Sequence, residues 1–268
     1  IYASPGVPLL TTPQVNAKKS FSSPTWRFIV NQTLAEDSTV YGSYSRGFKS
    51  GGFAAASIGD PPFRSATIDS FELGSKNKFW NGMAGLNIAA FLYKYDNIQV
   101  QQIIPPGVQQ IVNAGKATGK GFEIEAFVRP VRDLRLSLGY SYLDAKYDKF
   151  ENASCTSALP GGGNAVLVCP SLAGNRLPRA PRTTLNLALE HSYATDIGTF
   201  TTSISYYRNG GYFAEAGNRL RQPAYDVVNG NLGWRTPDSR FGVDLFVRNL
   251  TNTKYYDVVV EQTVNDTY

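Results

Sequence analysis

The residues most able to do chemistry in this chain are one histidine, two cysteines and a scatter of paired charges. A hydrolase built on His191 would need a nucleophile or water beside it, with a carboxylate or amide orienting the ring. No such constellation is legible; His191 follows Glu190 at the end of an alternating run and reads as a turn or interface residue. Cys155 and Cys169 lie 14 positions apart in a Gly- and Pro-rich segment. A disulfide between them, worth about 3 kcal/mol, is expected in an oxidising compartment, with two free thiols as the alternative; a metal centre would need more ligands than this stretch supplies. Gly115-Lys116-Ala117-Thr118-Gly119-Lys120-Gly121 has the look of a phosphate loop. It is one residue short, lacks Ser or Thr after Lys120 and precedes a strand pattern, so its glycines relieve crowding at a bend instead. Glu123 and Glu125, with Glu72 and Lys76, suggest acid–base pairs; the preferred reading is a wet interior wall whose opposite charges pair. No catalytic residue, cofactor or metal ligand is assigned.

What remains is recognition. Arg46, Lys49, Arg64, Arg219 and Arg221 stand near Phe48, Phe53, Tyr212 and Phe213, all in or beside long polar connections. Guanidinium groups pair bidentately with anionic oxygens and aromatic rings stack on flat groups, a combination suited to an anionic metal chelate. The same residues would also serve to order loops or to face lipid phosphates.

These side chains must be held by strands. The 268 residues include 16 Tyr, 15 Phe and 25 Gly against one Met, a mix that favours pleated surfaces and turns over helices. Phe241, Val243, Leu245 and Val247 alternate with Gly242, Asp244, Phe246 and Arg248; Leu134, Leu136, Leu138, Tyr140 and Tyr142 alternate with Arg135, Ser137, Gly139 and Ser141. Period two of this quality gives about ten strands, near 25–34, 39–47, 67–79, 83–100, 111–129, 134–147, 181–191, 199–209, 224–234 and 241–250. Short turns such as Asn81-Gly82 and Pro130-Val131-Arg132-Asp133 alternate strictly with long connections over about 48–66, 101–110, 148–180 and 210–223. An up-and-down antiparallel sheet puts the two classes at opposite rims. Several strands exceed ten residues, the length that crosses about 25 Å of apolar band at a tilt. Trp80 and Trp234 sit by short turns, while Trp26, Tyr93, Tyr95, Tyr142, Tyr147, Tyr206 and Tyr207 gather toward the long-loop rim, as two interfacial girdles would. The fold expected is all-β, an antiparallel up-and-down transmembrane β-barrel. No apolar run of 18 residues offers a membrane helix, and 26 basic against 21 acidic residues, without like-charge blocks, do not suggest a nucleic-acid partner.

Four stretches, in order, resemble the barrels of TonB-dependent outer-membrane receptors: Tyr41-Gly42-Ser43-Tyr44-Ser45-Arg46-Gly47-Phe48-Lys49-Ser50-Gly51-Gly52-Phe53, Phe71-Glu72-Leu73-Gly74-Ser75-Lys76, Gly121-Phe122-Glu123-Ile124-Glu125 and Val247-Arg248-Asn249-Leu250-Thr251-Asn252-Thr253-Lys254-Tyr255-Tyr256. The resemblance covers roughly 25–256. It implies a 22-stranded barrel in the outer membrane of a Gram-negative bacterium, filled by a plug domain. It also implies energised uptake of a scarce ligand, commonly a ferric siderophore, through the TonB complex. Its lipid surroundings would include lipopolysaccharide. Residues 1–24 would be a preceding connection and 25–268 about ten consecutive strands of the barrel's second half. No plug or TonB box is recognised, and the polar tail ending at Tyr268 is a poor match to a final strand. The start, Ile1-Tyr2-Ala3-Ser4-Pro5, has neither initiator Met nor signal features, so either a signal has been removed or the chain is a piece of something longer.

Two alternatives carry different expectations. An autonomous barrel of ten to twelve strands would be a small channel or an outer-membrane hydrolase. A soluble carbohydrate-binding β-sandwich would gather Leu136, Leu187, Val243 and Leu245 in a dry centre between two layers.

Overall fold

A computed structural model describes residues 17–54, 61–104 and 108–261. Sixteen strands follow one another: β1 (Trp26–Ala35), β2 (Ser38–Lys49), β3 (Ala66–Phe79), β4 (Ala84–Asp96), β5 (Gln99–Ile104), β6 (Val108–Asn113), β7 (Lys116–Val131), β8 (Leu134–Lys149), β9 (Glu151–Ala158), β10 (Asn164–Ser171), β11 (Thr183–Thr195), β12 (Gly198–Asn209), β13 (Tyr212–Phe213), β14 (Arg221–Gln222), β15 (Tyr225–Arg235) and β16 (Gly242–Val247). Ten of them form one antiparallel sheet in the order β1-β2-β3-β4-β7-β8-β11-β12-β15-β16, and the other six form three separate hairpins. The sheet is a partial barrel. Its end strands pair on one side only, and an unpaired edge in hydrocarbon costs several kcal/mol per group, so the membrane requires further strands beside them.

The register shows why alternation produces this sheet. Paired residues share a face, so Phe71, Leu92, Lys120 and Asp144 form one row across four strands, and Leu73, Ala90, Phe122 and Tyr142 form the next. Further along, Leu138 meets Leu187, which meets Tyr206, and Trp234 meets Val243. The opposite face carries Ser43, Glu72, Glu123, Ser141, Asn186, Ser205, Asn229 and Asn231. One side is apolar through its middle, with Lys120 and Asp144 toward the long-loop rim, the other is wet, and neither is covered. Leu136, Leu187, Val243 and Leu245 are 38%, 39%, 55% and 64% exposed, which a sandwich centre could not be. Lipid is the medium in which such an apolar face is stable.

Short turns and long connections do alternate, but three long connections carry structure of their own. The strand expected over 83–100 stops at Asp96, where Asn97 takes a left-handed backbone (φ 53°), and the chain enters the β5–β6 hairpin before β7 begins at Lys116. Ile98 and Val100 keep a period of two beyond Asp96, and Ile111 stands shortly before β7, so periodicity joined β4 to the start of β5 and the end of β6 to β7. The connection over 148–180 contains β9 and β10, and that over 210–223 contains β13 and β14. The last strand ends at Val247, because Asn249 turns left-handed (φ 50°) and its amide closes a loop onto Thr253. The girdle also needs correction. Tyr142 and Tyr206 lie on the apolar face, but Tyr93, Tyr95, Tyr147 and Tyr207 pair on the wet face and line the interior. Residue spacing set their height along the strand, whereas their parity in the register sets the side. Residues 1–16 of the expected leading connection, and Tyr268, lie outside the described residues.

Candidate ligand-binding cleft

Among the described residues, the packed cluster of buried residues sits at the long-loop rim. Ala114, Ala117, Tyr147, Phe150, Ala153, Leu172 and Ala216 form it, with Tyr147 and Phe150 rings 5.1 Å apart. Tyr147 joins this cluster because it stands on the wet face at the long-loop end of β8, opposite Ala117 of β7 and beneath the canopy. There the three hairpins meet and need partners for irregular backbone. Side-chain amides supply them. Gln102 Nε2 donates to the Ser154 carbonyl (2.9 Å) while Gln102 Oε1 accepts from the Ser154 N–H (3.3 Å), tying β5 to β9. Asn218 and Arg176 exchange two bonds in the same manner (2.8 and 2.9 Å). Burial pulls the Arg176 guanidinium below its ordinary range, with Arg182 nearby adding to the effect. Cys155 and Cys169 are bonded across β9 and β10, with Cα atoms 5.9 Å apart. They are diagonal neighbours, since Cys155 lies opposite Leu167 and Cys169 opposite Ala153.

Between these pieces opens a cleft of about 420 Å³, bordered by β5, Tyr147, the Leu177-Pro178-Arg179 connection, Ala214–Ala216 and Val259–Glu261. Its carboxylates are engaged. Glu215 accepts from the N–H groups of Arg219 and Leu220, and Glu261 accepts from the Thr156 hydroxyl. The cleft mixes apolar walls with a few polar groups, as small-molecule sites do.

None of the ligand-contact residues expected from sequence borders this cleft, and the structure disperses them. Arg46 lies on the apolar face, 3.4 Å from Asp69 and over the Trp26 ring; Phe48 shares that face and Lys49 is exposed on the other. Arg64 joins the loop before β3 to the β5–β6 hairpin through its backbone, which bonds Asn113 and Gln99. Tyr212 and Phe213 form β13, and Arg221 lies 6.0 Å over the Phe213 ring. Arg219 reaches one strand pair away and donates to Thr156 Oγ1 at 2.7 and 3.1 Å. Sequence reading missed Arg179, Glu215, Tyr147 and the Gln99–Ile103 run. Nothing in the sequence signals them; the left-handed backbone of Arg179 (φ 56°) is visible only in the structure.

Elsewhere the chemistry stays bland. His191 is exposed on the apolar face near the short-turn rim, with Tyr193 stacked on it at 6.4 Å. Glu72 accepts from the Tyr41 hydroxyl at 2.6 Å on the wet face. The Gly115–Gly121 stretch opens β7; a Cβ on Gly121 would strike the Tyr142 carbonyl and the Phe91 ring, so close strand approach is what requires glycine there. Among the described residues, no group of His, Cys, Asp and Glu is arranged to hold a metal ion.

A one-sided lipid-exposed sheet, a wet inner wall and a folded canopy at one rim are the parts of an outer-membrane β-barrel. The chain belongs to the TonB dependent receptor-like, beta-barrel family, whose model matches residues 4–250. Family members are outer-membrane β-barrels of Gram-negative bacteria. The chain is 24% identical over 226 residues to the pesticin receptor of Yersinia enterocolitica, covering 83% of this chain and 30% of that protein. A shorter match, 35% over 89 residues, is to the metal-pseudopaline receptor CntO of Pseudomonas aeruginosa, covering 33% of this chain and 12% of that one. Among solved structures, the ferric yersiniabactin uptake receptor FyuA of Yersinia pestis superposes with a TM-score of 0.73 at 20% identity, over 90% of this chain and 34% of that one. The chain thus spans about a third of the length of the relatives it matches.

Proposed function

We propose that this chain is the ligand-facing part of a receptor that takes up an iron chelate, a ferric siderophore, through the outer membrane. The observation that carries the reading is the joining of a wet inner wall to a folded canopy with an open cleft at the same rim. The names of its relatives, which bind or import siderophores and metal chelates, support the substrate class. A plug domain inside the wall and the TonB complex beneath it would complete the machine; both belong to the family resemblance. Transport, not catalysis, is the activity, and no resident cofactor is required. The autonomous small barrel is disfavoured by the open sheet edges, which ten strands leave exposed.

The outward residues at the long-loop rim fit lipopolysaccharide. Lys94, Lys120 and Lys146 stand in neighbouring rows above the apolar band, and Arg182 lies 5.6 Å over the Tyr142 ring. No acid pairs with Lys94 or Lys120 among the described residues, so their charges are available to lipid phosphates. Arg46 and Phe48 belong to this membrane side and not to the ligand.

The test is complementation. A receptor-deleted Gram-negative strain carrying the complete receptor is expected to regain growth on at least one ferric chelate, and to lose it when TonB is removed. Growth that is unchanged across a panel of iron sources would end the proposal.

A further inference from the structure

We infer that Cys155 and Cys169 are the site of an oxidative maturation step: a protein disulfide of the periplasm oxidises the two thiols before the canopy packs, and the bond locks the register of the β9–β10 hairpin. The inference uses the outer-membrane placement of the barrel and is independent of the ligand the receptor carries.

The β9–β10 hairpin does not choose its own register. Its two strands pair with each other and with no strand of the wall, so the large sheet does not align them. From Asn152 to Asn175 the chain carries no charged residue, and no cross-strand ion pair favours one alignment. Leu167 and Val168 are successive and 47% and 63% exposed, so β10 shows apolar side chains on both faces and neither face must turn inward. The turn is Gly161-Gly162-Gly163, all three with positive φ (98°, 101° and 81°), and glycine accepts many other conformations. Strands of this kind slip.

The register nevertheless matters on both faces. Ala153 and Cys169, directly opposite one another, meet the core cluster. Leu172, just beyond, is buried in that cluster, and its N–H donates to the Phe150 carbonyl at 2.8 Å. On the other face Thr156 is 8% exposed; its hydroxyl accepts from Arg219 at 2.7 and 3.1 Å and donates to Glu261. A slip of one residue would turn every side chain of β10 to the opposite face and withdraw Leu172. It would also put Cys155 and Cys169 on opposite faces, out of bonding reach. The native alignment sets them diagonally on one face, with Cα atoms 5.9 Å apart. The bond therefore forms in the right register and excludes a one-residue slip.

Access sets the timing. Oxidation is thiol–disulfide exchange: one thiolate attacks the oxidant's disulfide, a mixed disulfide forms, and the second thiolate displaces the oxidant as a dithiol. Two electrons and two protons pass to the oxidant, and one S–S bond forms as another breaks. Both attacks need an open line to sulfur. In the packed canopy Cys169 lies against the core cluster, and a Cβ on Gly217 would stand 3.7 Å from that of Cys155, so a folded protein oxidant has no such line. The long loops of outer-membrane barrels also face away from the periplasm, where protein oxidants act. The exchange belongs before packing and before insertion.

The test follows the complete receptor in pulse-labelled cells, with free thiols tagged by a maleimide polymer and barrel folding read on unheated electrophoresis. Oxidation should be complete before the folded band appears. In cells lacking the periplasmic thiol oxidant most chains should keep both thiols, and cystine added to the medium should restore the bond. The double variant Cys155→Ser, Cys169→Ser should still give a folded barrel, but proteinase K added to intact cells should cut within the β9–β10 hairpin about tenfold faster than in the parent. Folded barrels that acquire the bond afterwards, or oxidation at the parent's rate without the oxidant, would overturn the order of events. A double variant as protease-resistant as the parent would overturn the register lock, and one that never folds as a barrel would move the bond's role from the canopy to the wall. Failure of the uptake reading looks different: growth on iron sources is then unaffected by the receptor while the order of oxidation and folding stands.

Discussion

The sheet and the canopy solve the same problem, apolar surface that must leave water, in opposite ways. In the sheet, Leu136, Leu187 and Val243 are exposed because lipid completes them, and strand length follows the thickness of the bilayer. In the canopy, Phe150, Ala153 and Leu172 are 3%, 1% and 5% exposed because the hairpins pack on one another, as in a small soluble domain. A disulfide and paired amides compensate for the small size of that core. The wall is therefore stabilised by its medium and the canopy by its own contacts. The proposed recognition cleft lies in the second, whose fine geometry does not depend on the membrane.

The largest effect expected from breaking this division is in the canopy. Phe150→Ala empties a buried site packed against Tyr147 and should cost about 3–5 kcal/mol locally. If the two regions are separate, the variant receptor still inserts and runs as a folded barrel on unheated electrophoresis, while its canopy becomes protease-sensitive and chelate binding falls at least tenfold. Loss of barrel assembly instead would show that the canopy holds the wall. The converse variant is Leu187→Lys, in the middle of the apolar face between Leu138 and Tyr206. A lysine facing hydrocarbon should lower barrel stability by about 2–4 kcal/mol, measured by urea unfolding in vesicles, and leave chelate affinity of the inserted fraction unchanged. Lysine at Asn186, one position along on the wet face, should have little effect on that stability.

The difference between the regions also explains what the sequence disclosed. A sheet with one lipid face and one wet face obeys a strict period of two, so Leu134–Tyr142 and Phe241–Val247 were legible as wall before any coordinates. The canopy packs on all sides, and its periodicity misleads: the run through Val100 reads as the continuation of β4, although Asn97 redirects the chain. Cations were visible as residue types, but their roles depend on register parity and on cross-loop partners. Arg46 faces outward beside Asp69, Arg219 is bound to Thr156, and Arg179 is left open. Nothing local separates these three arginines; the partners of Arg46 and Arg219 lie 23 and 63 positions away.

The smallest effect expected lies at the far rim of the wall, where a short turn joins β15 to β16. There the Thr236 hydroxyl donates to Asp238 Oδ1 at 2.6 Å and the Arg240 N–H donates to the same oxygen at 3.2 Å. The Thr236 bond, followed by that of Arg240, holds the Asp238 carboxyl below its ordinary value. A depressed carboxylate pKa means that the ionised form is favoured in the folded turn. Its contribution is complete above the unfolded pKa and is lost as pH falls through the lower, folded one. The side-chain carbon resonance of Asp238 should thus titrate with a midpoint below that of an unstructured aspartate, and Thr236→Val should move the midpoint upward. Because the group is fully exposed, water screens the gain and the barrel's overall stability should not change measurably with the substitution. A midpoint that responds to canopy unfolding by Phe150→Ala would contradict the independence of the two regions, since no described contact carries a change from one rim to the other except the strands themselves.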